Sequence, residues 1–126
     1  MPRILDHIDL RVPDLTAARL FYDRLLPKLG FTEEQKVPRW VTYNAAGDGP
    51  TEFFGFIASA DFRPNENRIA FWTDSNASVD AFLPFLQEIG AKNIEGPCFE
   101  EVDYYYAVFF EDPFGNRLEI CHRLRN

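Results

Sequence analysis

Two halves of this chain carry one pattern of residues in one order. Ile8 and Ile69, Phe21 and Phe82, and Leu25 and Leu86 each stand 61 residues apart, and Gly30 and Gly90 stand 60 apart. In the first half, Ile8, Leu10 and Val12 alternate with His7, Asp9 and Arg11 between Ile4 and Val12, the period of a half-buried strand. Pro13-Asp14 then breaks the chain, with Asp14 placed as an N-cap. Leu15, Ala18, Phe21, Tyr22, Leu25, Leu26 and Leu29 follow at helical spacing up to a stop at Gly30. Strand-like runs come next near 31–37, 40–45 and 51–58, divided by Pro38 and by the turn residues 46–50.

The second half repeats the order. Ile69 and Phe71 alternate with Arg68, Ala70 and Trp72, and Asp74-Ser75-Asn76 breaks the strand. Val79, Phe82, Leu83, Leu86 and Ile89 then share a helix face closed by Gly90, with Pro84 expected to remove a hydrogen bond or bend the helix. Runs at 93–94, 104–110 and 117–123 complete it, with turns at Gly96-Pro97 and 112–116. Each half therefore reads βαβββ, an α+β pattern that points to internal duplication. The expected organisation is a single domain of two modules, about 1–62 and 67–126, joined by a linker at 63–67. The same offset puts Arg68 at the strand position that His7 holds in module one.

Composition narrows the partners. With 20 acidic against 13 basic residues the net charge is −7, which disfavours nucleic acid and anionic lipid as partners. The 13 Phe suit a sheet-rich core or an apolar pocket equally well. Cys98 and Cys121, the only cysteines, lack the spacing of a metal knuckle or a redox pair and read as free thiols. No apolar run has the length of a signal peptide core or a membrane span, so a cytoplasmic location is the expectation. Neither a strand-to-helix Gly-x-Ser-x-Gly elbow nor a phosphate-cradling glycine loop is present.

The candidate site residues lie on polar strand faces. After the turn of Asp112, Pro113, Phe114, Gly115 and Asn116, Glu119 points away from the Leu118 and Ile120 face and shares its side with Arg117 and Cys121. His122 falls on the opposite face and is set aside as a ligand. Tyr105 faces opposite to Tyr104 and Tyr106, and Trp72 shares the face of Arg68, four residues on. Trp40 has no such anchor. Asp9 and Arg11 share the His7 side and suit a surface ion pair.

Four segments carry a family resemblance: Asp6 to Val12, the helix end Phe21 to Phe31, Arg68-Ile69-Ala70-Phe71, and Phe110 to Ile120. In these, and over nearly its whole length, the chain resembles the vicinal oxygen chelate superfamily of glyoxalase I, extradiol dioxygenases, fosfomycin resistance enzymes and bleomycin resistance proteins. The resemblance implies two βαβββ modules forming a cup-shaped mixed sheet, often completed by a second subunit, so that a homodimer is expected. It also implies a divalent metal held by side chains of the first, fourth, fifth and eighth strands. The first- and eighth-strand ligands match His7 and Glu119, whose imidazole and carboxylate suit Zn, Ni, Mn or Fe(II). The fifth-strand ligand falls on Arg68, which has no lone pair to donate and repels a dication. The fourth-strand position lies at Glu52, Phe53 or Phe54 according to register.

Two functions follow from the resemblance. In the favoured one no metal cofactor is present, and His7, Arg68, Trp72, Tyr105 and Glu119 bind a small organic molecule, Arg68 pairing with Glu119 in place of the metal's charge. In the alternative, His7, Glu52 and Glu119 hold a divalent metal for a glyoxalase-like lyase, an isomerase or a dioxygenase. A third possibility is a dimerisation module whose cup is filled by its own side chains.

Overall fold

Both βαβββ patterns are realised in the computed structural model, which describes residues 3–124 and separates into two compact units, Met1–Arg63 and Pro64–Asn126. Unit one contains β1 (His7–Val12), α1 (Leu15–Leu29), β2 (Phe31–Val37), β3 (Trp40–Ala45) and β4 (Phe53–Ala58). Its sheet runs β1-β4-β3-β2, with β1 parallel to β4 and the other pairs antiparallel. Asp14 caps α1 by accepting from the Ala17 N–H at 2.8 Å, and Gly30 ends it in the left-handed conformation.

Packing divides the unit-one sheet into two faces. Tyr43 donates its hydroxyl hydrogen to Asp23 on α1 at 2.8 Å, and the Tyr22 ring lies 5.8 Å from that of Phe54. Tyr43 and Phe54 are register partners, so their side of the sheet is the one α1 covers. Phe54, Phe56, Val41 and Tyr43 are accordingly buried with Phe21, Tyr22, Leu25 and Leu26 of the helix. The far face carries His7, Asp9 and Arg11 beside Phe53, Gly55 and Ile57.

Unit two contains β5 (Arg68–Trp72), α2 (Asn76–Ile89), β6 (Lys92–Phe99), β7 (Tyr105–Glu111) and β8 (Arg117–Arg123), with sheet order β5-β8-β7-β6. Here β5 and β8 are parallel. Ser75 caps α2 by accepting from the Ser78 N–H at 3.0 Å, Gly90 closes it, and Pro84 lies within it on the exposed side. The longest departure from expectation is β6, which continues through Gly96 and Pro97 where the dipeptide suggests a turn. The strand is at the sheet edge, and two register shifts against β7 absorb the irregularity, so a residue without an N–H is tolerated there.

Among the described residues, no helix is long and apolar enough to cross a membrane.

Candidate functional site

The turn between β7 and β8 sets the eighth strand. Asp112 is fully buried, and its Oδ1 accepts from the backbone N–H groups of Phe114 and Asn116, both at 2.9 Å. Its Oδ2 accepts from the Asn116 side-chain amide at 2.8 Å. One carboxylate thus satisfies donors that a five-residue turn leaves without ladder partners. Gly115 completes the turn at φ 97°, and a Cβ there would come within 3.1 Å of Pro64. Counting outward from this turn pairs Glu111 with Arg117, Phe109 with Glu119, Ala107 with Cys121 and Tyr105 with Arg123.

Two contacts identify which face of that ladder α2 covers. Tyr106 donates to Asp80 of α2, and the His122 ring lies 2.9 Å from Asn76 at the start of the same helix. His122, Leu118 and Ile120 therefore face the helix, while Arg117, Glu119, Cys121 and Arg123 face away from it. The parallel register of β5 adds Arg68 opposite Arg117, Ala70 opposite Glu119 and Trp72 opposite Cys121. Arg68, Trp72, Tyr105 and Glu119 thus lie on one face of one sheet.

Glu119 is buried at 5% exposure and accepts a hydrogen bond from the Tyr105 hydroxyl. Tyr105 lies four residues along from Phe109, the register partner of Glu119, and its ring reaches past the small side chain of Ala107. The phenol is held well above its ordinary range, first by burial and then by donating to Glu119. Arg123 lies over the Tyr105 ring at 3.8 Å. The Cys121 thiol is also pushed up, by burial first and then by the Glu119 charge, the reverse of an activated nucleophile.

The expected pairing of Arg68 with Glu119 is not made. No ion pair joins them among the described residues; the Arg68 guanidinium lies over the Phe109 ring, 4.7 Å from its centroid. The register explains the difference. Arg68 meets Arg117 across the strands and Glu119 meets Ala70, so the carboxylate is taken by the phenol of Tyr105 and the cation by the aromatic ring. Phe109 and Arg123 are site neighbours that the sequence reading left out, whereas strand alternation already puts Arg117 on the Glu119 face. Phe109 and Arg123 could have been found by counting outward from the turn, since a hairpin turn fixes its ladder.

In unit one, His7 stacks on Phe53 with ring centroids 4.5 Å apart and an interplanar angle of 6°. Its Nδ1 donates to Asp6 Oδ2 at 2.8 Å, which in the neutral ring leaves the lone pair on Nε2. Asp9 and Arg11 form the expected surface ion pair, and Arg11 also lies 5.5 Å from the centroid of Trp40.

The fourth-strand position is corrected. Asp9 pairs with Gly55 as Ala70 pairs with Glu119, and residues 9 and 70 are 61 apart. The counterpart of Glu119 is therefore Gly55, not Glu52, Phe53 or Phe54. Glu52 is exposed and precedes β4. A Cβ at Gly55 would approach the Thr42 methyl to 3.1 Å. Of the four donor positions that a chelated metal would use, Arg68 and Gly55 offer no donor, so the residues do not fit that group. Within neither unit do the described residues form a group of three or more His, Cys, Asp and Glu placed to hold a metal.

A pH dependence follows from the two shielded phenols. Tyr43 is raised like Tyr105, by burial and by donating to Asp23. A group whose folded pKa lies above its unfolded value favours the folded state below the unfolded pKa and loses that contribution as pH rises. Stability should therefore fall as pH increases beyond about 10, the ordinary tyrosine value. In urea unfolding across that range, the Tyr43→Phe/Tyr105→Phe double variant is expected to show a shallower fall than the parent.

A family model described as the Glyoxalase/Bleomycin resistance protein/Dioxygenase superfamily matches residues 4–120. The Bacillus subtilis protein YqjT, described as uncharacterized, is 29% identical over 128 residues, covering 92% of this chain and 96% of its own. A glyoxalase/bleomycin resistance protein from Albidiferax ferrireducens T118 superposes with a TM-score of 0.75 at 27% identity, over 95% of this chain and 98% of its own. The genomically encoded fosfomycin resistance protein FosX from Listeria monocytogenes gives 0.74 at 20% identity, over 98% and 96%.

Proposed function

Since this chain belongs to the glyoxalase/bleomycin resistance protein/dioxygenase superfamily, we propose that it binds a small organic molecule on the far face of the unit-two sheet, without a resident divalent metal. The observation that carries this is the replacement of donors at two of the four chelating positions, by a guanidinium at Arg68 and by no side chain at Gly55. The face keeps what recognition of a small molecule needs. Phe109 and Tyr105 supply aromatic surface, Trp72 is 65% exposed at the end of β5, and Glu119 is a buried acceptor oriented by Tyr105. Ala70 opposite Glu119 leaves room above the strand. A binding or sequestering role of the resistance-protein kind follows more directly than Lewis-acid catalysis, because Arg68 supplies fixed positive charge where that chemistry would need an ion.

Chemical-shift mapping on isotopically labelled protein tests the proposal with benzoate, phenylphosphonate and benzyl alcohol as probes in the presence of a chelator. Saturable shifts are expected at amides of β5, β7 and β8, weakened in Trp72→Ala and Glu119→Ala. Absence of saturable shifts on these strands, or their appearance only after a divalent metal is added, would overturn it.

A further inference from the structure

The geometry points to a bound oxyanion between Arg68 and Arg117, which makes the ligand a small organic acid with a carboxylate or phosphonate head. This inference rests on the binding face proposed above and names the class of molecule it takes. Arg68 and Arg117 are register partners on adjacent parallel strands, so their side chains leave the same face from backbones about 4.8 Å apart. Like charges directly opposite in a sheet are destabilising. Among the described residues neither guanidinium has an ion-pair partner, and Glu111, which stands opposite Arg117 on β7, forms no ion pair with it.

The nearby acids are already engaged. Glu111, the register partner of Arg117 on β7, accepts from the Asn93 side-chain amide at 3.1 Å, and Glu119 accepts from Tyr105. In a chain with 20 acidic and 13 basic residues, acids are abundant, yet among the described residues none forms an ion pair with Arg68 or Arg117. Arg68 rests its guanidinium over the Phe109 ring, a contact with the π-face that takes up no hydrogen-bond acceptor. Each guanidinium carries the planar fork that matches carboxylate and phosphonate oxygens, and the two side chains start from adjacent strands on one face. Trp72, four residues along the strand from Arg68, lies about 13 Å away across Ala70, a span that accommodates an apolar ligand body.

The test compares phenylphosphonate with benzyl alcohol, which share a ring but not the charge, on the parent protein, Arg68→Gln and Arg117→Gln. Affinities come from chemical-shift titration, and melting temperatures are measured without added anion. The parent is expected to prefer the phosphonate by at least about tenfold, and each variant to lose most of that preference while retaining the alcohol. Loss of the like-charge contact should also leave the anion-free variants with melting temperatures equal to or above the parent's. Equal affinity for the two probes in the parent, or a phosphonate preference that survives both substitutions, would overturn the oxyanion site and leave the binding face standing. Failure of both probes to bind would overturn both. Arg68 is exposed, so Arg68→Gln keeps the test decisive should Arg117→Gln fail to fold.

Discussion

Asp112→Ala is expected to destabilise the protein by about 3 to 4 kcal/mol, measured by urea unfolding, because the buried carboxylate serves three donors in the turn that starts β8. Removing it takes away the acceptor used by the Phe114 and Asn116 backbone N–H groups and by the Asn116 side-chain amide. Asp112→Asn separates charge from geometry. Both backbone donors use the same oxygen, Oδ1, which asparagine retains, whereas the Asn116 amide would face another amide. Its cost should be nearer 1 to 1.5 kcal/mol, that of one lost bond. Similar losses for the two variants would show that the turn is held by something other than these backbone bonds. The turn matters to the site because it places Arg117 and Glu119 on the face turned away from α2.

Phe54→Ala is expected to cost about 3 to 5 kcal/mol, the range for deleting a buried aromatic ring from a packed core. Phe54 is fully buried, with the Tyr22 and Phe31 rings at 5.8 and 6.2 Å. Phe54→Leu, which refills much of the space, should cost about half as much or less. Phe53→Ala is the register control. Phe53 lies on the far face against His7, so its loss should cost distinctly less than that of its neighbour. If Phe53→Ala were the more damaging, the phase of β4 would be opposite to the one described, and the assignment of Gly55 would fail with it.

That phase was the part of unit one least legible in the sequence. In β1 polar and apolar residues alternate, so the facing of His7, Asp9 and Arg11 could be read directly. In β4 the run Phe53-Phe54-Gly55-Phe56-Ile57 is apolar on both sides, and alternation carries no information. The fourth-strand counterpart of Glu119 stayed open between Glu52, Phe53 and Phe54 for this reason, and only the ladder to β1 identifies Gly55. In β6, Gly96-Pro97 has the composition of a turn, and its acceptance within a strand depends on the strand being at the edge, which is a property of the sheet.

The site was legible in its faces and less so in its contacts. Strand alternation correctly separated Glu119 from His122 and Tyr105 from Tyr106, and grouped Arg68 with Trp72. It could not show which residues stand opposite one another on β5 and β8. Parallel register is set by how the intervening elements pack, without the short turn that fixes a hairpin. The Arg68 to Glu119 pair was an inference from shared face and opposite charge. The register instead sets cation against cation and leaves the carboxylate to Tyr105, and among the described residues no acid forms an ion pair with either guanidinium.

The central claim, that a guanidinium stands in place of the metal, is tested most directly by measuring metal bound per chain. Untagged protein is incubated with Zn, Ni, Mn and Fe(II) in turn, dialysed without chelator and analysed by mass spectrometry. The account predicts retention far below one ion per chain for every metal, in the parent and in Glu119→Ala alike. Retention of one ion per chain by the parent, lost in Glu119→Ala, would contradict it.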